Sequence, residues 1–219
     1  MKKIIALFLA LNAFTFIFGL PVRAEDSKIS RTLEIYDPSG KLSSFSCVID
    51  GRAYLKIIAG IGTMDVANLW TDLRYFEDVA KVKEINILIM SPGGEGFAGL
   101  AMADEISRII KRGMIVNCYA SGLIASAAVP VFASGSHRIA APGTVFMVHE
   151  PSMFKFISQE QRKDLKTQGE MMDMLVDKYV GILARRSKLS KKEWESKGMD
   201  TTWFTAQQAL EWGLVDKIE

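Results

Sequence analysis

The stretch Ile85-Asn86-Ile87-Leu88-Ile89-Met90-Ser91-Pro92-Gly93-Gly94 decides the fold of this chain. Its nearly continuous apolar run, residues 85–90, is typical of a short strand buried on both faces of a sheet. The Ser-Pro-Gly-Gly that follows ends such a strand in a tight turn. An amphipathic helix is predicted next, from about Gly99 to Lys111, with apolar residues at helical spacing. A strand, a turn and a helix in this order indicate one unit of a parallel α/β sheet.

The same order is predicted on both sides of this stretch. The other predicted strands are 54–61, 114–119, 138–139 and 144–148, and the other predicted helices are 65–79, 126–134 and a long charged helix at 158–186. A small final unit covers 203–218. Such units in series predict an α/β fold with a parallel sheet core.

Length and charge limit the function classes. The chain has 219 residues, enough for one well-buried domain but not for two full ones. Its formal net charge of +2 is too small to indicate a nucleic-acid partner.

Residues 1–24 have the pattern of a signal peptide. Lys2 and Lys3 precede an apolar run, and Val22-Arg23-Ala24 offers a cleavage site. We therefore expect a mature single domain at 25–219, placed in the periplasm or secreted; an uncleaved anchor is the alternative. No second apolar stretch reaches the roughly 20 residues that a membrane span needs. We thus expect no stable membrane span after cleavage of the signal peptide.

The cysteines and histidines do not predict a metal site. Cys47 and Cys118 both lie in apolar, strand-like stretches, which favours two buried thiols over a disulfide. Together with the two histidines they do not have the spacing of a zinc site. We expect no metal and no cofactor.

A serine and a histidine at strand ends are the candidates for chemistry. Ser126 stands at the predicted start of a helix, where a capping role is the simplest interpretation. His149 ends the apolar strand 144–148. Carboxyl ends of parallel strands meet at one edge of the sheet, where sites form. A serine hydroxyl needs a base to become a good nucleophile, so the two residues together indicate a serine hydrolase.

Four blocks of sequence make the chain resemble the proteolytic subunit of the Clp protease. They are Met90-Ser91-Pro92-Gly93-Gly94, Gly122-Leu123-Ile124-Ala125-Ser126-Ala127, Phe146-Met147-Val148-His149-Glu150-Pro151, and the ending from Phe204 to Asp216. Their order and spacing match the family over about residues 54–218. The resemblance implies a ClpP/crotonase-like fold of repeated β-β-α units, with a long, handle-like helix in the C-terminal half.

The resemblance also assigns roles at the site. It makes Ser126 the nucleophile, His149 the general base, and the backbone N–H groups of Gly94 and Ala127 the oxyanion hole. The position of the family's aspartate is held here by Thr201, and we expect Asp200, one residue earlier, to supply the carboxylate. The alternatives are a dyad, or a carboxylate from elsewhere that orients His149.

Substrates and partners follow from the same resemblance. The implied activity is a serine endopeptidase that hydrolyses peptides or unfolded proteins. The long helix matches in place the family's handle, which joins two rings, so a homo-oligomer, with a ring as one form, is expected. The family's glycine-rich strand before it is replaced by 152–156. Because ATP is not available outside the cytosol, an exported member is expected to cleave without an ATPase.

Three other interpretations stay open from sequence. One is a Ser–Lys protease of the signal-peptide-peptidase type, which the histidine at position 149 disfavours. The second is an inert assembly or binding module, favoured by the shifted Asp200 and by Ile124, which stands where the family has alanine and is expected to narrow the pocket. The third is the related enoyl-CoA hydratase fold, which needs no Ser–His pair.

Overall fold

The structure is a computed structural model that describes residues 46–151 and 162–219. The predicted signal peptide and residues 158–161 of the predicted long helix lie outside the described residues. The strands are β1 (Ser46–Ile49), β2 (Arg52–Ile58), β3 (Glu84–Ser91), β4 (Ile115–Ala125), β5 (His137–Ala140), β6 (Val145–Val148), β7 (Thr202–Thr205) and β8 (Lys217–Ile218). The helices are α1 (Thr63–Arg74), continued by a π-helical turn (Tyr75–Val79), α2 (Gly96–Lys111), α3 (Ala128–Ala133), α4 (Arg162–Arg185), α5 (Lys191–Met199) and α6 (Ala206–Glu211).

These strands form a mostly parallel sheet in the order β1-β2-β3-β4-β5-β8. The apolar run 85–90 lies in β3, between β2 and β4, where Ile85, Ile87 and Ile89 are fully buried. The predicted burial on both faces does not extend to Met90, which is 43% exposed. Two antiparallel strands stand at the margins: β1 pairs with β2, and β7 pairs with β6. The predicted α/β fold with a parallel core is confirmed, with these two antiparallel additions.

The strand β4 is longer than the sequence predicts, because it pairs with two strands in succession. Its first half, Asn117–Ala120, pairs with β5, and its second half, Leu123–Ala125, pairs with β6. The turn predicted at Ser121-Gly122 is therefore wrong: the chain continues as strand, with Gly122 at φ +66°. This extension places the end of β4 beside the end of β6.

Five aromatic side chains fasten the C-terminal part of the chain to β6. The rings of Phe146 and Phe204 stack with their centroids 5.3 Å apart. The ring of Phe204 also contacts Trp212, with the two centroids 4.7 Å apart. Phe132 and Trp194 extend the cluster toward α3 and α5. Aromatic side chains bury about 150–250 Å² each, so this cluster holds β6 firmly between β4 and β7.

Within residues 46–151 and 162–219, no helix is long and apolar enough to cross a lipid bilayer. In the same ranges both cysteines are free thiols, Cys118 buried and Cys47 partly exposed.

Candidate active site

Ser126 occupies a strained turn between β4 and α3. Its φ of +53° lies in the left-handed region, which costs a non-glycine residue on the order of 1–3 kcal/mol. The expectation that Ser126 begins or caps a helix is wrong: the helix starts at Ala128 and its N-cap is Ala127. The strained backbone turns the chain sharply at the strand end. Such a turn exposes a nucleophile at the edge of the sheet.

His149 follows β6 directly and reaches Ser126. The register of β4 against β6 pairs Ala125 with Met147, and the Ser126 N–H donates to the Met147 carbonyl at 2.8 Å. The imidazole Nε2 of His149 then lies 2.8 Å from Ser126 Oγ. The structure thus brings together the two residues that the sequence singles out, at hydrogen-bonding distance.

The Gly93-Gly94 turn lies against the same site. Gly93 has φ +90° and Gly94 φ +154°. A Cβ on Gly93 would lie 2.7 Å from the Ser126 Cβ and 2.8 Å from the Ala127 nitrogen, so only glycine fits beside the nucleophile.

The bridge between Gly94 and Ile61 leaves the Gly94 N–H pointing away from Ile61. Two hydrogen bonds of 2.8 Å form this bridge. The Ile61 N–H donates to the Gly93 carbonyl, and the Ile61 carbonyl accepts from the Glu95 N–H. In a parallel bridge of this kind the N–H of the residue opposite, Gly94, points away from Ile61. Among the described residues, neither the Gly94 N–H nor the Ala127 N–H has a recorded acceptor. Both residues line the cleft that holds Ser126.

That cleft has a volume of about 1000 Å³ and runs between the sheet edge and the helices α4 and α5. Its apolar wall is formed by side chains of these helices, namely Met171, Met172, Leu175, Val176, Trp194 and Met199. Its size and its largely apolar lining are typical of a ligand-binding cleft. Among the residues that the structure describes, no group of acids, histidines and cysteines has the geometry of a metal site.

Asp200 lies at the C-terminal end of α5, and its side chain is exposed to solvent. The next residue, Thr201, has φ +50°, and Thr202 then pairs with Val148 in β7. The turn at Thr201 therefore lies between Asp200 and the strand that pairs with β6.

Two other positions differ from what sequence indicates. Ile124 was expected to narrow the pocket beside the nucleophile; instead it is fully buried in the core under the sheet and does not line the cleft. Tyr179 on α4 is not singled out by the sequence, yet its hydroxyl donates to the Ser126 carbonyl at 3.1 Å. The helical period of α4 gives no signal that singles out this tyrosine.

Comparison with known proteins places this arrangement in a family. The sequence profile of Clp protease matches residues 50–219. The chain is 31% identical to the ATP-dependent Clp protease proteolytic subunit of Bacteroides fragilis, over 68% of this chain and 70% of that protein. It is also 31% identical to the ATP-dependent Clp protease proteolytic subunit 1 of Protochlamydia amoebophila, over 73% and 75% of the two chains.

A solved structure of a ClpP1 mutant from Listeria monocytogenes has the same fold. It superimposes with a TM-score of 0.66 at 20% identity and covers 76% of this chain and 90% of that one. With the matching sequence profile and the identities above, these results show that the chain belongs to the Clp protease family of serine peptidases.

Proposed function

We propose that this protein is a serine endopeptidase that hydrolyses peptides or unfolded proteins, with Ser126 as nucleophile and His149 as general base. The observation that carries the proposal is the 2.8 Å approach of His149 Nε2 to Ser126 Oγ at the mouth of a largely apolar cleft. For a Ser–Lys mechanism, which the sequence left open, no lysine whose side chain the structure describes makes a comparable hydrogen bond to Ser126.

The proposed reaction begins from the contact between Ser126 and His149. His149 Nε2 accepts the hydroxyl proton while Ser126 Oγ attacks the peptide carbonyl carbon, and the carbonyl oxygen becomes an oxyanion. The N–H groups of Gly94 and Ala127 are proposed to bind that oxyanion. The protonated imidazole then gives its proton to the leaving amine, and a water molecule activated by His149 hydrolyses the acyl-enzyme. A single oxyanion donor is typically worth about 100- to 1,000-fold in rate.

The third member of the catalytic group stays a prediction. The sequence nominates Asp200, whereas its exposed position at the end of α5 favours a Ser–His dyad or a carboxylate from elsewhere. The two readings differ by orders of magnitude in the expected effect of removing the Asp200 charge, since loss of the orienting aspartate of a triad lowers kcat by about 10⁴-fold.

We also propose export, ATP-independent cleavage and self-association. Export rests on the pattern of residues 1–24, and ATP independence follows from export. Self-association is supported by large apolar side chains that are exposed on the single chain, such as Met64 on α1 and Val79 just after it, 72% and 63% exposed. Purified protein starting at Glu25 is expected to degrade unfolded casein without an added ATPase and to elute as an oligomer on size-exclusion chromatography.

A fluorophosphonate probe tests the central proposal. The wild-type protein is expected to be labelled covalently, Ser126→Ala not at all, and His149→Ala at a rate lower by several orders of magnitude. Labelling that survives His149→Ala would support the Ser–Lys mechanism. A folded wild-type protein that resists the probe and cleaves no peptide would support the inert module and refute the proposal.

A further inference from the structure

The nucleophile is held by backbone contacts and by one side chain from a distant helix. The Ser126 N–H donates to Met147, and the Ser126 carbonyl accepts from the Val129 N–H at 3.0 Å. The same carbonyl oxygen also accepts from the hydroxyl of Tyr179 at 3.1 Å. Tyr179 is 53 residues away along the chain, on α4.

We propose that Tyr179 is a positioning residue, whose hydroxyl fixes the peptide group that follows Ser126 and thereby aims both Ser126 Oγ and the Ala127 N–H. The proposal rests on the function proposed above. Tyr179 does not touch the reacting atoms, because its hydroxyl lies on the carbonyl oxygen of Ser126 and not on Oγ.

The strain at Ser126 is the reason that such a contact matters. A residue at φ +53° persists only where its surroundings hold it, because a small rotation relaxes the backbone toward the ordinary regions. The carbonyl of Ser126 and the N–H of Ala127 belong to one peptide plane. A hydrogen bond that fixes this carbonyl therefore also fixes the direction of the proposed oxyanion donor.

The surroundings of Tyr179 keep its hydroxyl a donor. Burial raises the pKa of Tyr179 far above its usual range, so the phenol stays protonated throughout the pH range in which a serine peptidase works. The ring lies along the cleft, where it also contributes to the wall. The packing of the ring and the hydrogen bond of its hydroxyl are thus two separate roles, which the change to phenylalanine distinguishes.

The test compares Tyr179→Phe with Tyr119→Phe. Tyr119 lies on β4, the strand that leads to Ser126, is partly buried and donates its own hydroxyl hydrogen bond to Asn86 Oδ1 at 3.5 Å, but it does not line the cleft. For Tyr179→Phe we expect kcat for a fluorogenic peptide to fall about tenfold, the factor that one hydrogen bond is typically worth, with KM changed less than about twofold. The rate of fluorophosphonate labelling of Ser126 is expected to fall by the same factor. Tyr119→Phe is expected to leave both rates unchanged.

Several results would overturn the proposal. One is that Tyr179→Phe and wild type have equal kcat values and equal labelling rates. Another is that the loss of catalytic efficiency appears entirely as a raised KM, because that is the result expected if Tyr179 only shapes the cleft. If Tyr179→Phe is unfolded at the assay temperature, the comparison is repeated below its melting temperature, and a deficit that vanishes in the folded protein also contradicts the proposal. Failure of the proposed function is distinguishable, because the wild-type protein itself would then not be labelled.

Discussion

Gly94 packs so closely against Ile61 that a Cβ added to it would lie 2.7 Å from the Ile61 amide nitrogen. The contact is with backbone, which cannot move aside without breaking the bridge between the two residues. We expect Gly94→Ala to shift the proposed oxyanion donor and to lower kcat at least about 100-fold. Peptide hydrolysis, measured beside the melting temperature, checks this expectation.

The matched control is Gly143→Ala. A Cβ at Gly143 would meet nothing within 4 Å, and Gly143 lies in the turn before β6, outside the cleft. This variant is expected to keep wild-type activity. Equal activity of the Gly94→Ala and Gly143→Ala proteins would show that the Gly94 N–H does not contribute to catalysis.

The carboxylate of Asp200 is expected to contribute little to catalysis. Because its side chain is exposed at the end of α5, we expect Asp200→Asn to lower kcat less than about tenfold. Glu195→Gln, which removes an exposed carboxylate that lines the cleft, serves as the control for a general change of charge. A loss near 10⁴-fold in Asp200→Asn alone would establish the triad that the sequence suggests.

The pair formed by Arg138 and Asp216 is expected to make stability depend on pH. Burial acts to raise the pKa of Asp216, but the hydrogen bonds and the charge of Arg138 outweigh it and hold that pKa below its ordinary value of 3.8. The stabilisation is therefore complete above pH 3.8 and is lost as the pH falls through the lowered value. We expect Asp216→Asn to reduce the free energy of unfolding by about 1–2 kcal/mol at pH 7, since the carboxylate is partly exposed.

Urea unfolding at pH 7 and at pH 3 measures this difference between wild type and Asp216→Asn. The difference is expected to shrink at the lower pH, because pH 3 lies below the ordinary carboxyl pKa of 3.8 and the unfolded chain then takes up the proton. Asp177→Asn is the control, because the Asp177–Lys191 pair also lowers a carboxylate pKa but lies on the surface. Equal effects of the two substitutions at pH 7 would show that the Arg138 pair contributes no more than a surface contact.

The two thiols are expected to differ in reactivity. Burial raises the pKa of Cys118 to about 12, so at pH 8 its thiolate is scarce and enclosed in the core. Cys47 is partly exposed at the edge strand β1. With iodoacetamide, peptide mapping by mass spectrometry is expected to find Cys47 alkylated first in the native protein, and both alkylated in urea. A disulfide between them, which leaves neither reactive without reductant, would contradict this.

The central sheet was predictable because its signal is local. The run 85–90 and the Ser-Pro-Gly-Gly after it specify a buried strand and its end without reference to other parts of the chain. The proximity of Ser126 and His149 could likewise be predicted, because parallel strands present their carboxyl ends at one edge of the sheet.

The rest depends on pairing between distant segments. The left-handed backbone of Ser126 arises where β4 ends against β6, and the contact of Tyr179 with it depends on how α4 lies across the cleft. No pattern of residues in the sequence predicts either arrangement. The left-handed residue Thr201, between α5 and β7, likewise has no residue pattern that predicts it.

The pairing of β7 with β6 has a consequence for biosynthesis. The strand that ends at His149 is completed on one side by residues 202–205 and covered by the rings of Phe204 and Trp212. During translation Ser126 and His149 therefore emerge from the ribosome long before the segment that pairs with β6 and covers it. A nascent chain that stops short of about residue 212 is expected to be inert, which protects it and its neighbours from premature self-digestion.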